Sequence, residues 1–114
     1  MLASSNRLTG KKNYDKVRTE GQLFQSSSFG LNVLKREDNG PSRFGFIISN
    51  KISNHASTRN KIKRTLGEAV RYSLTYLKSG YDVVFLAKSS IDRKYSNELM
   101  QEVIDSFKAA HLVK

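Results

Sequence analysis

The sequence predicts an α+β fold: a single-domain α-β sandwich in which a small sheet packs against helices. Three observations carry this. Apolar residues recur at helical spacing in three segments, apolar runs of strand length occur in three others, and turn signals separate them. The expected order is helix, strand, strand, helix, strand, helix. The chain has 114 residues, of which 38% are hydrophobic, enough for one core but not for two. Residues 1–114 therefore read as one domain, with residues 1–6 a flexible lead-in.

A first helix is expected over residues 8–21. Thr9 is placed to cap it, Tyr14 and Val17 share a face, and Gly21 suits the position just past its end. Residues 24–28 read as a polar connection. Residues 29–34 alternate apolar with small or polar side chains and predict a strand. Asn39-Gly40, inside the turn-rich stretch 37–42, is a strong hairpin signal. It predicts that the following strand, residues 44–49, runs antiparallel to the first.

Residues 49–58 lack apolar periodicity and read as a loop, with Ser57 or Thr58 positioned to cap the next helix. That helix is expected over residues 59–77, ended by Ser79-Gly80. Residues 81–87 form a β-branched, nearly continuous apolar run, the pattern of a central strand covered on both faces. A last helix starts near Ser96, with Leu99, Val103, Phe107 and Ala110 at intervals of three and four. Glu98 near its start and Lys108 near its end suit the helix dipole.

The charge is the outlier. A net charge of +10 costs self-repulsion in the folded state unless a polyanion offsets it. The absence of cysteine excludes disulfides and thiolate metal sites and favours an intracellular home. The opening residues lack the apolar run of a signal peptide, and no stretch approaches the ~20 apolar residues that span a bilayer. A cytoplasmic location is expected.

The positive charge concentrates in residues 59–71. Arg59, Lys61, Lys63, Arg64 and Arg71 stand there against Glu68 alone. At about 100° per residue, Ile62, Leu66, Ala69 and Val70 form one apolar arc. Lys61, Arg64 and Arg71 fall opposite it with Glu68, Asn60 lies beside them, and Arg59 and Lys63 flank the arc. A face kept only for solubility usually interleaves acids for i,i+4 pairing. Arginine forks also match phosphate oxygens in a way lysine does not. An unpaired basic helix face that tracks a sugar-phosphate backbone is the expectation.

These residues also carry a resemblance. Arg59-Asn60 followed by Lys63-Arg64, continued by Glu68 to Arg71, resembles the RNR motif of the protein subunit of bacterial ribonuclease P. Arg7-Leu8 with Tyr14 and Gly21 is similar to that family's opening helix. Residues 43–51 and 80–88 resemble its strands. The resemblance implies a left-handed βαβ crossover, where general chain topology favours the right-handed one. It implies a subunit that binds a catalytic RNA and the 5′ leader of precursor tRNA, assisting removal of the leader with Mg²⁺. No membrane or protein partner is expected.

By position, the resemblance places Lys51, Arg59, Asn60, Lys61, Lys63, Arg64 and Arg71 at the RNA surface. It places Tyr14, Arg18, Asn32 and Lys88 around a leader-binding cleft. Arg18 and Asn32 stand where the family commonly has aromatics, and Gly67 where it commonly has a basic residue. A structural RNA binder, such as a small ribosomal protein, is the alternative that shares this charge and size.

No catalytic constellation is legible. The ten acids are dispersed, and His55 and His111 show no metal-ligand spacing. No catalytic residue and no protein-held metal is therefore expected, and the RNA would supply the chemistry. Asp82 and Asn60 have oxygens suited to a metal, but no spacing argues for either.

Overall fold

The computed structural model describes residues 2–114; Met1 lies outside them. Three α-helices, α1 (Lys11–Glu20), α2 (Ala56–Ser73) and α3 (Ser96–Ala109), pack on a four-stranded sheet. The strands are β1 (Gln22–Gln25), β2 (Phe29–Lys35), β3 (Arg43–Ile47) and β4 (Tyr81–Ala87). Their spatial order is β1-β2-β4-β3. β1 and β2 pair antiparallel, as do β2 and β4, while β3 runs parallel to β4.

Alternation along the strands divides the core between two sheet faces. Phe29, Leu31, Val33, Phe44, Val83 and Phe85 form one cluster with Ile62, Leu66, Ala69 and Val70 of α2 and Leu99, Val103 and Phe107 of α3. On the other face Val84 packs with Leu8 and Val17, joined by Tyr14, Leu34, Ile47 and Leu86. α1 thus covers one face and the α2–α3 pair the other. β4 is the strand buried from both sides, as its apolar run predicts.

Four expectations are corrected. First, residues 22–25 form an edge strand, closed onto β2 by a bond from the Ser26 N–H to the Phe29 carbonyl at 2.9 Å. Flanking glutamines and a two-residue apolar centre leave no alternation to read in so short a segment. Second, the Asn39-Gly40 turn does not make a hairpin. β4 needs partners on both edges and lies between β2 and β3, so the turn wraps the start of β4 instead. The Arg36 N–H donates to the Gly80 carbonyl and the Gly80 N–H to the Gly40 carbonyl, both at 2.8 Å.

Third, the helix boundaries shift. Neither Ser57 nor Thr58 caps α2; His55 occupies that position, and α2 tightens into a 3₁₀ turn, Leu74–Tyr76, before the predicted end. Thr9 does not cap α1 with its hydroxyl. Gly10, at φ 88°, is the residue before α1, and Thr9 contributes its carbonyl to Asn13 Nδ2 at 2.8 Å. Fourth, Gly21 ends α1 in an extended conformation, not a left-handed one. It is required for space: a Cβ there would lie 2.4 Å from the Val17 carbonyl oxygen and 2.6 Å from Asn32 Oδ1.

Residues 2–6, expected as a flexible lead-in, carry packing of their own. Leu2 is buried in the larger cluster, Ser4–Asn6 is a 3₁₀ turn, and Asn6 Nδ2 donates to the Ser42 carbonyl at 2.9 Å. No helix among the described residues is long and apolar enough to cross a membrane.

Candidate nucleic-acid interface

α2 holds its basic residues rigidly because its other side is locked in the core. Ile62, Leu66, Ala69, Val70 and Ser73 are buried, and Asn60, Lys61, Lys63 and Arg64 are left exposed on the same 18-residue helix. Lys51 is also exposed, in the turn that leads to it. Among the described residues Lys51, Lys61, Lys63 and Arg64 form no ion pair with an acid. A fixed array of uncompensated cations attracts polyanions without the entropy cost of ordering a tail.

Two of the predicted contacts differ from that expectation. Arg71 is paired: its Nη2 lies 2.8 Å from Glu68 Oε2. That guanidinium is the main reason the Glu68 carboxyl is held down, at about 2. The i,i+3 spacing that makes the pair is visible in the sequence; that the two rotamers meet is a property of the folded helix. Arg59 is half-buried and donates from Nη1 to the Ser53 carbonyl at 2.8 Å. It therefore ties the preceding loop to α2, with only part of its guanidinium turned outward.

The second predicted site lies on the α1 face of the sheet. Tyr14 lies flat against β3 at Gly45, where a Cβ would come within 2.5 Å of its hydroxyl oxygen and 2.6 Å of its ring. Only glycine permits that approach. The phenol is hydrogen-bonded to the Phe46 backbone, yet burial dominates and raises its pKa above the ordinary value. Tyr14 is thus half-buried, and packing and exposure share one ring. Arg18, one turn on, is exposed and has no acidic partner among the described residues.

Asn32 and Lys88 are placed differently. Asn32 is buried under Gly21, and its Oδ1 has no hydrogen-bond partner among the described residues. Lys88 donates from Nζ to the Ser26 carbonyl at 2.6 Å, so its ammonium holds the β1–β2 turn. The same turn is clasped from α3 by Glu102. That carboxylate accepts from Ser28 N–H at 2.8 Å and Ser28 Oγ at 2.7 Å, and from Ser26 Oγ. Burial pushes its pKa up, but these donors outweigh burial and lower it overall.

Sequence reasoning missed the open part of this sheet face. Beyond α1, Leu23, Gln25 and Leu86 surround Gly30, which is buried; a Cβ there would lie 3.2 Å from Leu23 Cδ1. Leu23 is 48% exposed. Only recognition of β1 as a strand could have placed Leu23 and Gln25 beside Gly30.

Asp82 is accounted for as a structural anion. Arg43 binds it through Nε–Oδ1 at 2.8 Å and Nη2–Oδ2 at 2.7 Å, and Arg36 reaches Oδ1 at 2.7 Å. Burial pushes this carboxyl up, and the two guanidinium groups more than reverse that, so it is lowered. With both oxygens engaged, Asp82 does not fit a metal ligand. Among the described residues no three of His, Cys, Asp and Glu gather into a possible metal site.

A basic helix fixed on an α+β core, beside a sheet face with a half-exposed aromatic, defines a class of compact nucleic-acid-binding domain. The family model for ribonuclease P matches residues 2–111, and the chain belongs to that family, whose named relatives are protein components of this endoribonuclease. A ribonuclease P protein component from a Pseudanabaena species is 28% identical over 114 residues, covering 97% of this chain and 98% of the relative. One from Dehalococcoides mccartyi is 40% identical over 90 residues, covering 77% and 70%. The fold is that of the Staphylococcus aureus RNase P protein, at TM-score 0.90 and 17% identity over 97% of this chain and 100% of that one. The Thermotoga maritima RNase P protein is similar at TM-score 0.80 and 23% identity, covering 90% and 96%.

Proposed function

We propose that this chain docks on the ribonuclease P RNA through α2 and receives the 5′ leader of precursor tRNA on the α1 face of its sheet. One observation carries the reading: the family's basic motif lies on the solvent side of a helix whose other side is fixed in the core. Lys61, Lys63 and Arg64, with Lys51, are its free cations. Asn60 offers an amide beside them, and Arg59 and Arg71 contribute what their loop and Glu68 leave available.

On the cleft side, Tyr14 offers a ring on which bases of any sequence stack, at roughly 1–3 kcal/mol each. Arg18 replaces an aromatic there, contributing charge and a planar group for cation–π contact. Asn32 shapes the floor from below, and Lys88 fixes the turn at its edge. Mg²⁺ belongs to the assembly, held mainly by RNA phosphates, and leader removal is chemistry of the RNA. The setting for this work is the cytoplasm.

The test is leader removal from precursor tRNA by cognate ribonuclease P RNA at low Mg²⁺. Adding the chain accelerates cleavage; an unchanged rate and affinity sinks the reading. In the same assay Tyr14→Ala weakens binding of precursor tRNA more than of mature tRNA. Equal losses for both would remove Tyr14 from the leader site.

A further inference from the structure

Between α2 and the segment that enters α3 lies a groove of about 170 Å³, to which Lys61 is the one predicted RNA contact that belongs. Lys61 stands on one wall and Lys94 on the other, with Asp92 beside Lys94. The hydroxyl groups of Thr58, Thr65 and Ser96 complete the polar lining. Tyr95, in the chain between the lining residues Lys94 and Ser96, is 76% exposed, more than any other large hydrophobic side chain described. Buried aliphatic side chains close the floor, so the groove is a fixed feature of the packing.

Among the described residues neither lysine forms an ion pair, and Asp92 is paired with neither. Lys94 does reach Glu102 at longer range, adding to the causes that lower that carboxyl. Two cations from separate segments thus converge on a polar concavity in a chain of net charge +10. Lys61 belongs at once to this groove and to the basic face of α2, so the two surfaces are continuous.

We infer that the groove seats a phosphodiester of the RNA bound by α2, with Lys61 and Lys94 on its two sides and an unpaired base stacked on Tyr95. This rests on the RNA-docking role of α2 and extends it to a second segment, Asp92 to Ser96. A phosphate there would accept from both ammonium groups and the hydroxyls. Asp92 is then an opposing charge that limits affinity. Tyr95 is suited to stacking because it is largely exposed. Its backbone N–H donates to Glu98 Oε1 at 3.2 Å, a bond that truncation of the side chain leaves in place.

The experiment is a salt titration of binding to cognate ribonuclease P RNA by the full chain and three variants, with thermal melts as a check on folding. Lys94→Ala should weaken binding and reduce the slope of log affinity against log salt by about one unit. Asp92→Asn should tighten binding, a gain that misfolding cannot produce. Tyr95→Ala should weaken it about fivefold or more with the slope unchanged, since stacking releases no counterions. Folded Lys94→Ala and Asp92→Asn variants that both superpose on the parent overturn the groove inference and leave the role of α2 intact. A parent that does not bind the RNA removes both readings. A concentration-dependent dimer lost in Tyr95→Ala would assign the surface to a second copy of the chain and also overturn the inference.

Discussion

Asp82 carries more of the fold than its place in an apolar strand suggests. It is almost fully buried at the start of β4 and binds Arg43 of β3 and Arg36 beyond β2, so one carboxylate joins three neighbouring strands. Its folded pKa lies below the unfolded value, so the stabilisation is present above about pH 4 and is lost as pH falls through the folded value. Asp82→Asn leaves two guanidinium groups facing a neutral amide. A loss of about 3 kcal/mol is expected, measured by urea unfolding at neutral pH. The variant's stability should also fall less steeply than the parent's below pH 4; parallel acid limbs would contradict the assignment.

At the scale of the element, α2 meets two demands with one sequence. Its apolar arc fixes the helix on the sheet, and its remaining circumference stays basic. Gly67 sits inside it as a buried residue. A Cβ at Gly67 would meet nothing within 4 Å, so neither a close approach nor a turn requires glycine there. Gly67→Ala should therefore stabilise the protein by about 0.5–1 kcal/mol, through helix propensity and a less flexible unfolded chain. A melting temperature that stays the same or falls would show a hidden constraint on the helix backbone. RNA affinity is expected to stay unchanged, because no charge is added or removed.

For the whole molecule, the question is how the excess charge is distributed over binding. Lys63 and Arg64 are exposed and unpaired, whereas Arg71 is already matched by Glu68. The double variant Lys63→Ala, Arg64→Ala should lower the salt slope of RNA binding by about two units. Arg71→Ala should lower it by less, because its guanidinium is already engaged by a carboxylate. Equal slopes for parent and double variant would place the polyanion elsewhere on the surface. Titrations from low to moderate salt, read by filter binding, separate these outcomes.

Much of this architecture was legible before the structure. The apolar run at 81–87 announced a central strand because burial on both faces leaves no room for polar alternation. The spacing of Ile62, Leu66, Ala69 and Val70 announced an amphipathic α2 for the corresponding reason. The clustering of Lys61, Lys63 and Arg64 announced the basic face of α2, since charge is carried by composition. What remained hidden depended on neighbours distant in sequence. β1 exists because β2 offers it a free edge, and β3 joins β4 rather than β2 because β4 needs two partners. Asp82 became a structural ion through Arg43 of β3 and Arg36 just past β2, and Lys94 came to line one groove with Lys61 only when α3 packed on α2. The sequence by itself determined which faces are apolar and which are charged, because periodicity and charge are local. Only the tertiary structure decided which charges stay free, because pairing is settled by distances that folding creates.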